Sequence, residues 1–299
     1  MHDKSVLIIV VTYNAIKWID RCISSLVNST IPVDVFVVDN GSTDGTQNYI
    51  TSHYPQVLFV QSTVNLGFGK ANNIGLQYAL NNDYSYVYLL NQDAWIFSDT
   101  LEKLIKVSKS NPEYGILSPF QMEANMEHID KNFKKNVLSW ASCPEILDVL
   151  YFNSPKEIVP VRSVMAAHWL ITYECLRKTG GFSPSFPHYA EDDNYQDRVK
   201  LWGYKIGIVP SLKVIHDREE RKDSIQKLIY LKYTEHLRVL SIPGTNPSLI
   251  KRVFEMALLS FDYRRSLPCK YAFKLLCNYR KIVKNRKVSS IDECAFLTL

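Results

Sequence analysis

The 299-residue sequence lacks the features that mark membrane-spanning, disulfide-rich and disordered chains. No uninterrupted apolar run approaches the roughly 18 residues that a membrane-spanning helix requires. The six cysteines form no C-x-x-C pair and have no regular spacing, which argues against a zinc knuckle or a disulfide framework. Gly (11) and Pro (13) are sparse, and no repeat of 20–50 residues occurs. The N-terminal run is too short and too β-branched for a signal peptide, so we expect a soluble protein of the cytoplasm.

The net charge of +5 is unevenly distributed along the chain. Between residues 249 and 287 there are eleven Lys and Arg but only two acids, Glu255 and Asp262, which gives this stretch a charge of +9. The rest of the chain therefore carries −4. Because 46% of the residues are apolar, the chain can bury a large core. These figures predict an acidic body of one large α/β domain with a basic appendage.

Four short apolar runs rich in β-branched residues are typical of strands buried on both faces of a parallel sheet. They are Ser5–Val11, Val33–Val38, Val57–Gln61 and Tyr86–Leu90. Helix-like segments at about 16–28, 44–52 and 69–80 separate them. This alternation predicts a doubly wound, mostly parallel sheet flanked by helices. In such sheets, ligands bind beyond the carboxyl ends of the strands.

A polar segment follows each of these four strands, at 12–14, 39–45, 65–72 and 91–93. Ordinary turn chemistry would account for any one of them. Four in succession at one edge of a sheet favour a site for a polar ligand. Asp39 can accept hydrogen bonds from ribose hydroxyls or a base N–H, and Asp93 suits a hard divalent cation such as Mg²⁺ or Mn²⁺.

The glycine-rich segment at 67–72 matches neither common nucleotide-binding motif. A dinucleotide fingerprint would need Gly in place of Asn72 and would follow the first strand rather than the third. A P-loop would need Gly in place of Val64, and Ser or Thr in place of Ala71. The mismatch argues against a nicotinamide oxidoreductase. The segment is either a tight helix entry or a loop that contacts a phosphate or ribose.

A second polar cluster lies downstream, where Glu191, Asp192 and Asp193 are consecutive. Adjacent acids repel one another, so they indicate either a solvated helix start or a functional site. A short strand is expected at Lys205–Val209, and the segment Lys213–Ile215 leads into His216, which is either structural or a ligand.

Taken in order, these segments resemble the inverting family 2 glycosyltransferases of GT-A fold, most of all the rhamnosyltransferase-type members. The resemblance rests on VVTYN at 10–14, VDNGSTDGT at 38–46, NLGFGKANNIG at 65–75 and LLNQD at 89–93. It continues through GGF at 180–182, ED at 191–192, Arg198, Gly203-Tyr204 and His216. It covers about residues 5–220, and the ordered set is more specific than any single motif.

The resemblance implies a division of the chain and a set of roles. Residues 1–222 would be the catalytic domain, with a nucleotide-sugar half (about 1–95) and an acceptor half (about 96–222), and 223–299 a basic helical extension. The implied donor contacts are Thr12, Tyr13, Asn14, Asp39, Asn72 and Asn91. Asp93 and His216 would bind a divalent cation (Mg or Mn), and Asp192 would be the catalytic base. Glu191 and Trp169 would adjoin the substrate, although Trp169 could equally belong to the core, and Arg198 would pair with the acids.

The implied reaction explains why these residue types are present. An acceptor hydroxyl attacks the anomeric carbon opposite the leaving nucleoside diphosphate, and a carboxylate accepts its proton. A divalent cation offsets the charge that develops on the diphosphate. The implied donor is a UDP-, dTDP- or GDP-sugar, and the implied acceptor is a glycan or lipid-linked glycan of surface polysaccharide biosynthesis. We expect Glu191 and Asp193 to raise the pKa of Asp192, as suits a base near neutral pH.

Two departures from the family pattern leave an alternative open. Asn91 stands where an acid is common, and Asn194 stands where a second acid often follows the ED pair. The alternative is a non-catalytic protein of this fold that binds nucleotide sugars.

From about residue 224 the pattern becomes that of amphipathic helices, two of them at 249–261 and 271–283. Aromatic residues alternate with the basic ones, and no nucleic-acid motif accompanies them, so we expect no nucleic-acid partner. The basic stretch 249–287 is either the solvated face of a helical unit or a surface for an anionic membrane. The second interpretation would place the protein on the inner face of the membrane.

Overall fold

The computed structural model describes residues 5–139, 141–152, 156–218 and 224–297. The strands of this part are β1 (Val6–Thr12), β2 (Asp34–Asp39), β3 (Leu58–Gln61), β4 (Tyr86–Asn91), β5 (Ala94–Trp95), β6 (Tyr114–Met122), β7 (Val159–Pro160), β8 (His168–Thr172) and β9 (Lys205–His216). The α-helices are α1 (Ile19–Val27), α2 (Thr46–His53), α3 (Phe68–Asn81), α4 (Thr100–Ser110), α5 (Ile146–Tyr151), α6 (Tyr173–Thr179), α7 (Glu191–Leu201), α8 (Ile225–Ser241), α9 (Leu249–Tyr263) and α10 (Leu267–Ile291).

The strands form one sheet in the order β3-β2-β1-β4-β8-β6-β9-β5, with β7 beside β9. The four predicted strands β1–β4 pair in parallel, which confirms the βαβ reading of the N-terminal half. Beyond them β8 runs antiparallel to both β4 and β6, whereas β6 and β9 are parallel to each other. The sheet is therefore mixed, and its parallel part is the half that the sequence pattern revealed.

Side-chain alternation along β1 explains why its sequence is continuously apolar. Leu7 and Ile9 contribute to the core on one face of the sheet, and Ile8 and Val10 contribute to the core on the other. Helix α3 packs so closely on the first face that a Cβ at Gly75 would come within 2.7 Å of the Ile9 side chain. Both faces of the strand are covered, as parallel strands require.

Helices α8, α9 and α10 share a separate apolar core that includes Leu237, Met256 and Leu275. Phe186, from the loop before α7, belongs to this core and so ties the helical extension to the body. Both predicted helices in the extension are present, and α10 continues well past residue 283. A domain boundary at residue 222 stays a prediction. Among the described helices, none is long and apolar enough to cross a membrane.

Candidate active site

Strands β1, β2 and β4 end together at one edge of the sheet. Thr12 lies opposite Asp39 in the parallel register, and Val11 lies opposite Asn91. Three of the four polar segments singled out in the sequence, at 12–14, 39–45 and 91–93, therefore meet at this edge. In open α/β sheets, ligands bind at this edge, beyond the carboxyl ends of the strands.

Asp39 is fully buried and organises the loop that follows β2. Its carboxylate accepts hydrogen bonds from Thr12 Oγ1 (2.7 Å), from the N–H groups of Gly41 (3.1 Å) and Ser42 (2.9 Å), and from Gln47 Nε2 (2.9 Å). Thr12 is equally buried. In this arrangement both side chains shape the loop. Their contact with a nucleotide stays a prediction.

Tyr13 and Asn14 form the exposed part of the same edge. Asn14 adopts a left-handed conformation (φ 50°), which Asn tolerates better than most residues. Its Oδ1 accepts a hydrogen bond from the Thr43 N–H (2.9 Å), which ties the first loop to the second. The Tyr13 N–H donates to Gln92 Oε1 (2.7 Å), and Gln92 Nε2 donates back to the Tyr13 carbonyl (3.2 Å). The motif reading missed Gln92, although it lies between Asn91 and Asp93.

Asp93 and His216 face each other across the ends of the strands. His216 is buried, and its Nε2 lies 3.4 Å from Asp93 Oδ1 and 3.4 Å from Asn91 Nδ2. Its Nδ1 lies 3.3 Å from Gln121 Oε1, an oxygen that can accept a hydrogen bond from it. Burial raises the pKa of Asp93, but the hydrogen bond and charge of His216 and the charge of Arg218 outweigh it. The pKa of Asp93 therefore lies below its usual value.

These residues fit a divalent cation that also binds a diphosphate. His216 Nε2 and Asp93 Oδ1 lie 3.4 Å apart, close enough to bind one cation together. Within the described residues no group of three or more His, Cys, Asp or Glu is close enough to hold a metal. Two protein ligands, with water and phosphate completing the set, are typical of Mg²⁺.

A buried pair behind this site holds the end of β9 in place. His168 Nε2 donates to the carbonyl of Ile215 (3.0 Å), and the Tyr88 hydroxyl donates to His168 Nδ1 (2.9 Å). Burial, with a smaller effect of His216, lowers the pKa of His168 to about 3, so the ring stays neutral. No motif in the sequence signals this role of His168. Its position beside the backbone of residue 215 is what restrains His216.

Trp169 and Asn72 do not line an open pocket. Trp169 is fully buried, stacks on Phe182 and donates its indole N–H to the Val164 carbonyl (3.1 Å). Trp169 therefore packs in the core, the alternative that the sequence left open, and its contact with substrate stays a prediction. Asn72 is 1% exposed and donates to the Phe68 carbonyl within its own helix (3.0 Å). Its place in the nucleotide pocket likewise stays a prediction.

The acidic cluster begins α7 directly after two strained residues. Tyr189 and Ala190 have φ values of 64° and 65°, a region that residues with a Cβ rarely occupy. No side chain caps the helix, and the three acids fill its first turn. Strained backbone of this kind is concentrated at functional sites. The acids therefore follow a strained turn, and a catalytic role for Asp192 stays a prediction.

Asp192 lies close to the end of β4 in space. Its carboxylate lies near the Ala166 N–H, and the neighbouring Ala167 carbonyl accepts a hydrogen bond from the Asn91 N–H (3.1 Å). The segment 166–167 therefore lies between the acid cluster and the Asn91–Asp93 edge. The two clusters, which the sequence separates by about a hundred residues, lie near each other, and their joint role in one site stays a prediction.

Burial raises the pKa values of Glu191 and Asp192, and repulsion adds to this effect. For Glu191 the repelling charge is chiefly that of Asp192, and for Asp192 it is that of Asp193. The sequence predicted the raised pKa of Asp192 but attributed it to neighbouring acids, whereas burial is the larger cause. Glu191 is 6% exposed, and its Oε2 has no hydrogen-bond partner.

Glu191→Gln should stabilise the fold at about pH 9 and have a smaller effect at about pH 5. Because the pKa of Glu191 is raised in the folded chain, stability is gained as the pH falls and lost once the side chain ionises. Gln removes the buried charge at high pH and resembles the neutral acid at low pH. We expect a melting temperature about 2–4 °C higher at the higher pH only. Thermal unfolding at both pH values checks this, and an equal shift at both would contradict it.

The basic partner of the acids comes from the helical extension. Arg238 of α8 forms a bidentate pair with Asp197 (2.9 and 3.0 Å) and lies 3.5 Å from Asp193. The predicted partner, Arg198, points elsewhere: it is fully buried, and its guanidinium donates to the carbonyls of Thr179 (2.6 Å) and Gly181. The prediction for Arg198 is wrong because the GGF turn, which follows α6, supplies acceptors that the sequence does not reveal.

The GGF turn requires its first glycine. Gly180 has a φ of 74°, and a Cβ there would overlap the backbone of Ala295. The Gly181 N–H donates to the Ala295 carbonyl (2.8 Å), so the residues after α10 cover this turn. The Asn73 side chain holds the next residue, Phe182, through hydrogen bonds to its N–H (2.7 Å) and carbonyl (3.0 Å). The motif is therefore a structural support of the acid cluster.

Comparison with known proteins agrees with this geometry. Residues 7–155 match the glycosyl transferase family 2 model. An N-acetylglucosaminyl-diphospho-decaprenol L-rhamnosyltransferase of Mycobacterium tuberculosis is 26% identical over 231 residues, which are 71% of this chain and 75% of that protein. Chondroitin synthase of Escherichia coli is 35% identical over 243 residues, 79% of this chain but 32% of that protein.

Solved structures show the same fold at low sequence identity. The TarS 1-349 fragment of S. aureus aligns with a TM-score of 0.57 and 18% identity, covering 96% of this chain and 83% of that one. The mannosyltransferase PcManGT of Pyrobaculum calidifontis, solved with GDP-Man and Mn²⁺, aligns with a TM-score of 0.56 and 18% identity, covering 95% and 73%. The fold is therefore GT-A, and the chain belongs to the family 2 glycosyltransferases.

Proposed function

We propose that this glycosyltransferase moves a sugar from a nucleoside diphosphate donor to a hydroxyl of a glycan or lipid-linked glycan, with inversion at the anomeric carbon. The observation that carries the proposal is the link through residues 166–167. Asp192, whose pKa is raised, lies near Ala166, and the adjacent Ala167 accepts a hydrogen bond from Asn91, which supports a base beside the edge that carries Asn91 and Asp93. An inverting transfer needs such a base close to the leaving diphosphate but on the other side of the sugar.

The donor would bind along the edge formed by the first two loops. Tyr13 offers an exposed ring (47% exposed) on which a base can stack, and Asn14 offers an exposed side chain beside it. Thr12 and Asp39 would keep these loops in shape and contact the base or ribose where the loop opens. UDP-GlcNAc in a TarS structure and GDP-Man in PcManGT support a UDP-, dTDP- or GDP-sugar as the donor.

Asp93 and His216 would hold a divalent cation, Mg²⁺ or Mn²⁺. When bound, the cation would offset the charge that develops on the leaving diphosphate. Asn91 would orient the donor through its amide, since it cannot supply a second anionic ligand. Gln121 would fix the His216 ring, as partners of metal-binding histidines commonly do. Mn²⁺ in the PcManGT structure supports this proposal.

Asp192 would act on the acceptor. As the acceptor oxygen forms its bond to the anomeric carbon, the bond from that carbon to the diphosphate breaks, and the hydroxyl proton passes to the Asp192 carboxylate. Because burial raises the pKa of Asp192, the carboxylate is a stronger base than an exposed aspartate would be. Glu191, whose pKa is also raised, would lie neutral beside it and offer an O–H to the sugar.

The acceptor would be carried on a lipid, in surface polysaccharide biosynthesis. The relative from M. tuberculosis is named for a decaprenol-linked acceptor, which supports this choice. The charge of +9 at residues 249–287 would hold the protein peripherally on the anionic inner face of the membrane.

The proposal is tested by following candidate nucleotide sugars with ¹H NMR in the presence of the protein and Mg²⁺ or Mn²⁺. We expect the anomeric signal of one donor to disappear as nucleoside diphosphate is released, slowly with water as acceptor and faster with a lipid-linked glycan. Binding of a donor with no turnover under any acceptor would instead favour a non-catalytic nucleotide-sugar-binding protein.

A further inference from the structure

Helix α9 has an outward face made almost entirely of large apolar side chains. Ile250, Phe254, Leu258 and Phe261 recur at spacings of four, four and three residues, so they form one stripe along the helix. They are 81%, 63%, 43% and 78% exposed. We call these four residues the α9 stripe. The opposite side of the helix, around the buried Met256, already packs against α8 and α10.

The α9 stripe is not needed for packing within the described chain. An amphipathic helix normally buries its apolar face and leaves its polar face in water. Helix α9 has apolar residues on both sides, and the second set has no partner among the described residues. Contiguous exposed apolar patches of this kind mark surfaces that bind something.

Exposed basic side chains outnumber exposed acids on α9, on the turn that ends it and at the start of α10. Lys251 is exposed beside it, Arg264 and Arg265 are exposed at the turn that ends α9, and Lys270 and Lys274 are exposed on the first turns of α10. Only two acids occur between 249 and 287, and one of them, Glu255, is paired with Arg252 (2.9 Å). A second copy of the chain would bring the same excess of positive charge against itself, which disfavours self-association through this face. An anionic lipid surface complements both the charge and the apolar stripe.

We propose that the α9 stripe inserts into the headgroup–acyl boundary of an anionic membrane, with the surrounding Lys and Arg on the lipid phosphates. This inference deepens the membrane contact of the proposed function and rests on it, but it adds a specific claim. Inserted side chains hold the protein on the membrane together with charge, so part of the membrane binding persists at high salt. The stripe also fixes which side of the helical extension faces the lipid.

The test is flotation of the full chain with vesicles of phosphatidylglycerol and phosphatidylcholine, at low salt and at about 0.5 M salt, where surface charge is largely screened. We expect the wild type to float at low salt and to keep a measurable fraction bound at high salt. Phe254→Ser with Phe261→Ser should weaken the salt-resistant binding roughly tenfold or more. Phe254→Leu with Phe261→Leu is the matched control and should retain it. Arg264→Ala with Arg265→Ala should chiefly reduce low-salt binding.

The outcomes separate this proposal from its rivals. Unchanged salt-resistant flotation of the double Ser variant would overturn it. The proposal would also be overturned if the wild type were a dimer that does not bind vesicles and the double Ser variant were a monomer. That result would favour a contact between two copies of the chain. Donor hydrolysis should be equal in wild type and all three variants, which shows that they are folded. Flotation requires no transfer, so failure of the proposed reaction and failure of insertion are read independently.

Discussion

Asp192→Asn is expected to lower the rate of sugar transfer about 10²–10⁴-fold while donor binding stays close to that of the wild type. Asn has nearly the shape of Asp but cannot accept the acceptor proton. The Asp192 carboxyl accepts a hydrogen bond from the Asp193 N–H (2.9 Å), and the Asn amide oxygen can accept the same bond. The site should therefore keep its shape. Transfer is measured by release of nucleoside diphosphate, and binding by the thermal shift that the donor produces.

The matched control for this variant is Asp193→Asn. Asp193 is adjacent in the chain and faces Arg238 (3.5 Å) rather than the segment 166–167. We expect its transfer rate to stay within a few-fold of the wild type. In the wild type the rate should fall as the pH drops from alkaline towards acidic values, because protonation removes the base and the raised pKa of Asp192 moves this loss toward neutrality. Equal losses in both variants would mean that Asp192 acts only through the fold.

Asp93→Asn is expected to remove the metal-dependent part of nucleotide binding and to slow transfer by about 100-fold. In the wild type, UDP, dTDP or GDP should raise the melting temperature more with Mn²⁺ than without it, because a ligand that binds the native state stabilises it. In the variant the difference between the two conditions should disappear. NAD, tested in the same panel, should give no shift, since the sequence lacks a dinucleotide fingerprint.

The control for the metal site is Asp217→Asn. Asp217 follows His216 directly, and its carboxylate accepts the indole N–H of Trp18 (3.1 Å) instead of facing His216 Nε2. We expect the Mn²⁺-dependent shift to survive in this variant. If Mn²⁺ adds nothing to nucleotide binding in the wild type, the assignment of Asp93 and His216 as metal ligands fails.

Most of the strands that the sequence pattern revealed are buried on both faces. β1, β2 and β4 read as apolar runs because helices cover both sides of the sheet there, whereas β3 is only partly buried. Strand β6 contains Gly115 and Pro119 and passes through two irregularities in its register with β9, which breaks the apolar pattern. Strand β8 is only five residues long and begins with His168 and Trp169. In the mixed half of the sheet, β6 and β8 were therefore hidden from sequence periodicity, and only part of β9, at 205–209, was predicted.

The residues around the site also fall into two groups, those that the sequence could predict and those that it could not. Residues that act where a strand ends, such as Asn91 and Asp93, could be predicted because chain position fixes their place at the sheet edge. Arg238 and His168 could not, because each acts through a partner far away in the sequence: Asp197 for Arg238, and the Ile215 carbonyl for His168. The sequence left Trp169 open between pocket and core because a large aromatic residue next to a motif has the same sequence signature in both.

The most direct test of the proposed chemistry is the anomeric configuration of the product that the wild-type protein first releases from its donor. In the ¹H NMR time course, direct displacement with Asp192 as base should give a product whose configuration is opposite to that of the donor. The signal must be read before free sugar equilibrates between its anomers. First release of the opposite anomer would support the single displacement. First release of the anomer that the donor carries would contradict it.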